Sequence, residues 1–119
     1  MTTNPTPIRG EIWRIRFDPA EGDEIKKIRT AVVISENAVG RLRLKIVVPI
    51  TEWKVRYASY PWFVHLVPTP TNGLTKDSGA DAFQVKSVSD SRFVRHVGVV
   101  TSAQLDDIAS AVEMCVGAP

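Results

Sequence analysis

The sequence predicts a mainly β (α+β) fold: a small, strongly bent antiparallel β-barrel with a C-terminal α-helix. Three observations carry that expectation. Short segments with period-2 apolar alternation recur between turn residues along most of the chain. The segment TAVVIS at 30–35 is apolar on both faces and rich in β-branched residues, as a central strand requires. Only the last stretch carries a helical period, with Leu105, Ile108, Ala109, Val112 and Val116 forming one apolar stripe.

The elements follow in order. Residues 11–17 form a strand with Trp13, Ile15 and Phe17 on one face and Arg14 and Arg16 on the other. Asp18 and Pro19 end it, and a long charged loop runs to Ile28. The central strand at 30–35 is followed by a turn at 37–40. Residues 42–50 alternate cleanly, with Leu42, Leu44, Ile46, Val48 and Ile50 pointing one way. Arg41, Arg43 and Lys45 point the other way, and Thr51 extends this basic face if no bulge intervenes. An irregular stretch at 52–61 carries Trp53, Lys54, Arg56 and Tyr57. Residues 62–67 form a strand, 68–73 a proline-rich turn, and 82–87 and 94–100 further strands, with a short helical turn near 89–92. Thr101 and Gln104 make a capping box, in which each side chain satisfies a free amide at the other, and Gly117 is the stop.

The chain of 119 residues fits one domain, expected at 9–119 behind a flexible tail at 1–8. Its 15 basic and 13 acidic side chains leave a net charge of +2, too mild to argue a nucleic-acid partner from charge alone. A single cysteine, Cys115, excludes an internal disulfide, fits a reducing compartment and reads as a small core residue. No apolar run approaches the roughly 18 residues of a membrane helix. The opening MTTNPTPIRG lacks the apolar core of a signal peptide, so the expected location is cytoplasmic.

Most catalytic chemistries find no support. There is no HExxH, CxxC, GxSxG or glycine-rich phosphate loop. His65 and His96 each stand alone in a strand and read as partly buried histidines with one hydrogen-bond partner. What remains is Arg29, where the charged loop meets the central strand, together with Thr51 and Glu24. An arginine at the start of a rigid strand can address a phosphate with two parallel hydrogen bonds. A threonine hydroxyl can donate to a phosphate oxygen. RNA carries its own nucleophile, the 2′-OH, so such a site has only to align it and stabilise developing charge, without a metal or other cofactor. The residues alone equally permit plainer readings. Arg29 can pair with Glu24 or Asp23 on the surface, Thr51 can simply end a strand, and Arg41, Arg43 and Lys45 can be a solvated face. Trp53 and Tyr57 can stack on bases, cover an apolar patch or join a subunit contact.

Five markers in order change that balance: RGEIWRIRFDP at 9–19, GDEIKKIRTAVVIS at 22–35, VVPIT at 47–51, Gly73-Leu74 followed by FQVKSV at 83–88, and Arg92 with Gly98 before the helix. The first two are specific in combination. Through them the chain resembles the MazF/PemK/Kid family of toxin ribonucleases, from Arg9 to about Val116. The resemblance implies an SH3-like barrel, a homodimer, and an acidic cognate antitoxin as partner. It also implies metal-independent, sequence-specific cleavage of single-stranded RNA, chiefly mRNA, giving a 2′,3′-cyclic phosphate and a 5′-hydroxyl.

Residue by residue, the family's essential arginine matches Arg29, its threonine Thr51 and its loop carboxylate Glu24, the catalytic set. The glutamine of the later strand matches Gln84, an RNA contact. Lys26, Lys27, Lys54 and Arg56 are expected on RNA phosphates, with Trp53 on a base. Three departures stand out. The family proline after the arginine is Thr30, and the Asp/Arg version of the later site is lost because those positions are Asp81 and Phe83. A histidine found before the loop glutamate in one branch is Asp23 here. The alternative on the same barrel is a non-catalytic toxin or binding module. The gyrase-poisoning CcdB family ends in a Trp-Gly-Ile pattern, whereas this chain ends EMCVGAP, without an aromatic.

Overall fold

A computed structural model describes residues 6–17, 28–37 and 43–118. Seven strands and one α-helix follow in the order β1 (Glu11–Arg16), β2 (Ile28–Val33), β3 (Leu44–Glu52), β4 (Phe63–Leu66), β5 (Ser78–Asp81), β6 (Lys86–Ser89), β7 (Phe93–Val99) and α1 (Ser102–Cys115). All pairings are antiparallel, and the strand path runs β4-β5-β3-β2-β1-β7, with β6 also on β3. The sheet is strongly bent and barrel-like, although its path does not close.

β3 is the shared strand. Its first half pairs with β6 through Val47, and its last residues pair with β5 from Ile50 onward. Pro49 falls in the gap between those two partners, where an amide hydrogen would meet no strand, so the missing donor costs nothing there.

The middle strands are buried on both faces. One face collects Ile12, Val32, Val48, Ile50, Leu66, Val100 and Ile108, with Leu105 and Val112 of α1 packed against it. The other collects Trp13, Ile15, Ala31, Val33, Val47, Val88 and Phe93. Trp13 meets the Phe93 ring edge-on at 5.7 Å, which suits the ring quadrupoles. α1 begins at the expected capping box, with Gln104 N donating to Thr101 Oγ1 at 3.1 Å and Thr101 N to Gln104 Oε1 at 3.0 Å. Past its end Gly117 takes a left-handed φ of 72°.

Several expectations are corrected. Residues 82–87 are not one strand: Ala82–Gln84 form a 3-10 turn, capped by the Asp81 carboxylate accepting from Phe83 N, before β6 begins. Gln84 therefore sits on a turn. β5, spelled Ser-Gly-Ala-Asp, carries no strand signal, and its place is set by pairing to β3 and β4. Leu44 and Ile46 are exposed, because the covering layer stops at Val48 on that face. Lys45 is not solvated; its Nζ bonds Asp90 at 3.0 Å. Residues 55–59 form a 3-10 turn within the expected irregular stretch, Trp62 precedes β4, and Val116 lies beyond α1 and is exposed. Pro7, within the expected tail, is fully buried, and Cys115 is half-buried. The charged loop ahead of Ile28 and the turn around residue 40 lie outside the described residues.

A buried side chain shapes the turn before β5. Asn72 is 1% exposed. Its Nδ2 donates to Val67 O at 2.9 Å, and its Oδ1 accepts from Thr69 N and Leu74 N, both at 3.0 Å. Replacing Asn72 with Ala would strand those backbone groups, so it should lower stability by about 2–3 kcal/mol in urea unfolding.

Candidate anion-binding cleft

The cleft is built where β2 starts and β3 ends. Thr30 pairs with Ile50, so one further step along both strands sets Arg29 opposite Thr51. On the other side of β2, Ile15 pairs with Arg29 and Arg14 with Thr30. The segment that leads into β5 closes the wall with Leu74, Thr75, Lys76 and Ser78. The resulting open cleft has a volume of about 380 Å³, and Arg14, Arg29, Thr30, Thr51, Glu52 and Lys76 are among its lining residues.

Its electrostatics are one-sided. Arg14, Arg29 and Lys76 oppose one described carboxylate, Glu52, leaving a formal excess of two positive charges. Lys76 Nζ lies 3.8 Å from Glu52 Oε1, and both side chains are more than half exposed, so water screens the pair heavily. Arg29 is exposed and, among the described residues, has no carboxylate partner. Arg14 is half-buried, and its Nη1 donates to Thr30 Oγ1 at 3.4 Å. Two guanidiniums, an ammonium and hydroxyls around one cleft can hold a phosphodiester and donate to its non-bridging oxygens.

The structure thus brings Arg29 and Thr51 together. Glu24, Lys26 and Lys27 lie outside the described residues. Trp53, Lys54, Arg56 and Gln84 do not line the cleft. Trp53 nevertheless adjoins it: Gly79 pairs with Thr51, and a Cβ added at Gly79 would meet the Trp53 ring at 3.0 Å. That indole stacks on His65, with centroids 4.1 Å apart. Arg56 lies over the Tyr57 ring at 5.2 Å, Lys54 is exposed ahead of the 3-10 turn, and Gln84 is exposed. Tyr57 in turn stacks on Phe63 at 4.0 Å. The histidines are more exposed than expected and each faces a carboxylate, His65 with Asp77 and His96 with Glu11, both at 3.4 Å.

The sequence alone does not mark Arg14, Thr30, Glu52 or Lys76 as site residues. Arg14 alternates like any solvated strand residue, and Lys76 lies in a turn with no periodicity to mark it. Among the described residues no group of three His, Cys, Asp or Glu side chains is placed to hold a metal ion, and no helix is long and apolar enough to cross a membrane.

Fold and cleft together define a small antiparallel barrel protein with a cationic site at the open end of its central strands. Comparison with known proteins places it more narrowly. The family described as PemK-like, MazF-like toxin of type II toxin–antitoxin system matches residues 8–115. Endoribonuclease MazF9 of Mycobacterium tuberculosis is 35% identical over 112 residues, covering 89% of this chain and 92% of that protein. The structure of a MazE–MazF complex from Deinococcus radiodurans superposes with a TM-score of 0.74 at 24% identity, covering 93% of this chain and 96% of the other. A mycobacterial endoribonuclease in complex with its cognate antitoxin gives a TM-score of 0.73 at 22% identity, covering 96% and 98% of the two chains. The chain belongs to the PemK-like, MazF-like toxin family of type II toxin–antitoxin systems.

Away from the cleft, burial pushes the Asp81 carboxyl above its ordinary 3.8, while the hydrogen bond from Phe83 N pulls the other way. A raised folded-state pKa means the native protein holds this proton more tightly than the unfolded chain does. The charged form therefore costs stability above that range, and the cost disappears below the unfolded-state value. Asp81→Asn keeps the oxygen that Phe83 N needs. It should raise the melting temperature at pH 7, with the gain vanishing below about pH 4, as followed by thermal melts across pH.

Proposed function

We propose that this protein is a metal-independent endoribonuclease that cleaves single-stranded RNA at specific short sequences, acting in the cytoplasm as the toxin of its toxin–antitoxin pair. The observation that carries the reading is the sharing of one positively charged cleft by Arg29 and Thr51. The similarity to Endoribonuclease MazF9 supports the reaction class.

In the reaction the RNA 2′-oxygen gives up its proton and attacks the adjacent phosphorus, the bond to the 5′-oxygen breaks, and that oxygen takes a proton from water in the open cleft. A 2′,3′-cyclic phosphate and a 5′-hydroxyl result. Arg29, whose guanidinium stays protonated, stabilises the charge that builds on the phosphorane-like oxygens. Thr51 Oγ1 donates to a non-bridging oxygen and fixes the phosphate for in-line attack. Glu24 positions Arg29 or receives the 2′-OH proton. Lys26, Lys27, Lys54 and Arg56 hold neighbouring phosphates, Trp53 offers a face to a base, and Gln84 contacts the RNA. In-line geometry needs a backbone that can splay out of the A-form helix, which gives the single-strand preference. DNA, without the 2′-OH, stays intact.

The partners are an acidic antitoxin that occupies the cationic surface and a second copy of the chain. Exposed Leu44 and Ile46 offer apolar area for such a contact. The decisive experiment is incubation with mixed-sequence single-stranded RNA in EDTA, followed by end-group mapping. Wild-type protein should cut and leave cyclic phosphate ends. Arg29→Ala should lose about a thousandfold in rate and Thr51→Val about a hundredfold, each with an unchanged melting curve. Uncut RNA, or an unaffected Arg29→Ala variant, would overturn the assignment.

A further inference from the structure

We propose that Arg14, held by Thr30, forms a second phosphate subsite in this cleft, taking a phosphate next to the scissile one. The inference rests on the ribonuclease reading for the identity of its ligand. Three observations carry it. Arg14 lines the cleft with Arg29, yet the two belong to different faces of the sheet: Arg14 shares the face of Ile12, and Arg29 that of Ala31. They therefore enter the cleft from its two sides rather than crowding one oxygen. Arg14 is half-buried, and among the described residues it has no carboxylate partner; its one hydrogen bond is to the neutral Thr30 hydroxyl. A half-buried cation that faces an open cleft without a described acidic partner is available to an external anion. Finally, among the described lining residues three cationic side chains stand against one carboxylate, enough positive charge to meet more than one phosphodiester.

Thr30 has a specific part here. A proline at this position, directly across from Arg14, has no hydroxyl. Thr30 supplies one, and it accepts a hydrogen bond from the Arg14 guanidinium across the strand pair. Thr30 is thus a positioning residue and Arg14 a binding one. Lys76, on the exposed side, adds longer-range attraction.

Binding and cutting are measured separately. The binding probe is a mixed-sequence 2′-O-methyl single-stranded RNA, which cannot be cut, titrated at several salt concentrations; ordinary RNA of the same sequences reports cleavage. Arg14→Gln should weaken binding about tenfold and reduce the salt slope by about 0.7, the loss of one phosphate contact on a single strand. It should raise KM and leave kcat within about threefold. Thr30→Val should weaken binding by about threefold with the salt slope unchanged, and Thr30→Ser should restore it. An unchanged salt slope in Arg14→Gln overturns the subsite, as does a loss confined to kcat. If wild-type protein binds the RNA through Arg14 yet cuts nothing, the catalytic reading falls and the subsite stands. Absence of RNA binding by wild-type protein overturns both. Melting curves of all variants distinguish lost contacts from lost fold.

Discussion

The register between β2 and β3 is the constraint on which the rest depends. Val32 faces Val48 and Val33 faces Val47, and all four side chains are fully buried, alternately in the two cores. Because the side-chain period is two, a slip of one residue would exchange the faces of every one of them. Burial on both faces makes that slip doubly costly. The same lock that protects the valines fixes the residues at the strand ends, so Arg29 and Thr51 inherit their juxtaposition from side chains that never touch a ligand. The exposed chemistry is positioned by a dry ladder, which is why an arginine at a solvent-facing edge can still have a defined place.

The cleft joins parts of unequal rigidity. Two of its walls are strand ends anchored in both cores. The third arrives from the turn after β4, ordered by the satisfied Asn72 amide and by the tight fit of Gly98 against that turn, where an added Cβ would lie 2.3 Å from the Asn72 carbonyl carbon. Glu52 and Lys76 therefore approach each other from a strand and a turn, in water, as a loose pair. Arg14 and Thr30, by contrast, lie on adjacent paired strands. The charge in this site is thus partly held within the sheet and partly carried by an exposed pair.

How much of the fold and the cleft is legible in the sequence depends on where each residue's neighbours come from. The capping box at Thr101 and the apolar alternation of β1 and β3 are local signals, and they locate the elements to within a few residues. The doubly apolar TAVVIS announces a central strand because burial on both faces leaves no polar position. β5 is invisible: Ser-Gly-Ala-Asp has no strand propensity, and only pairing with β3 and β4 makes it one. The exposure of Leu44 and Ile46 is equally hidden, since alternation identifies a shared face but not whether anything covers it. Within the cleft, Arg29 and Thr51 are legible through family motifs. Arg14 is not, because its significance lies in the cross-strand neighbour it meets, a relation no single-sequence periodicity encodes.

Pro49 has a consequence for the life of the chain before it is folded. From Ile46 to Thr51 the sequence reads IVVPIT, and without the proline it would be an uninterrupted β-branched, uncharged hexamer of the kind that zips into cross-β stacks. In the native sheet the proline fills the gap between β6 and β5 without sacrificing a ladder bond. In the nascent chain it is a gatekeeper against self-association of the very segment that will carry Thr51.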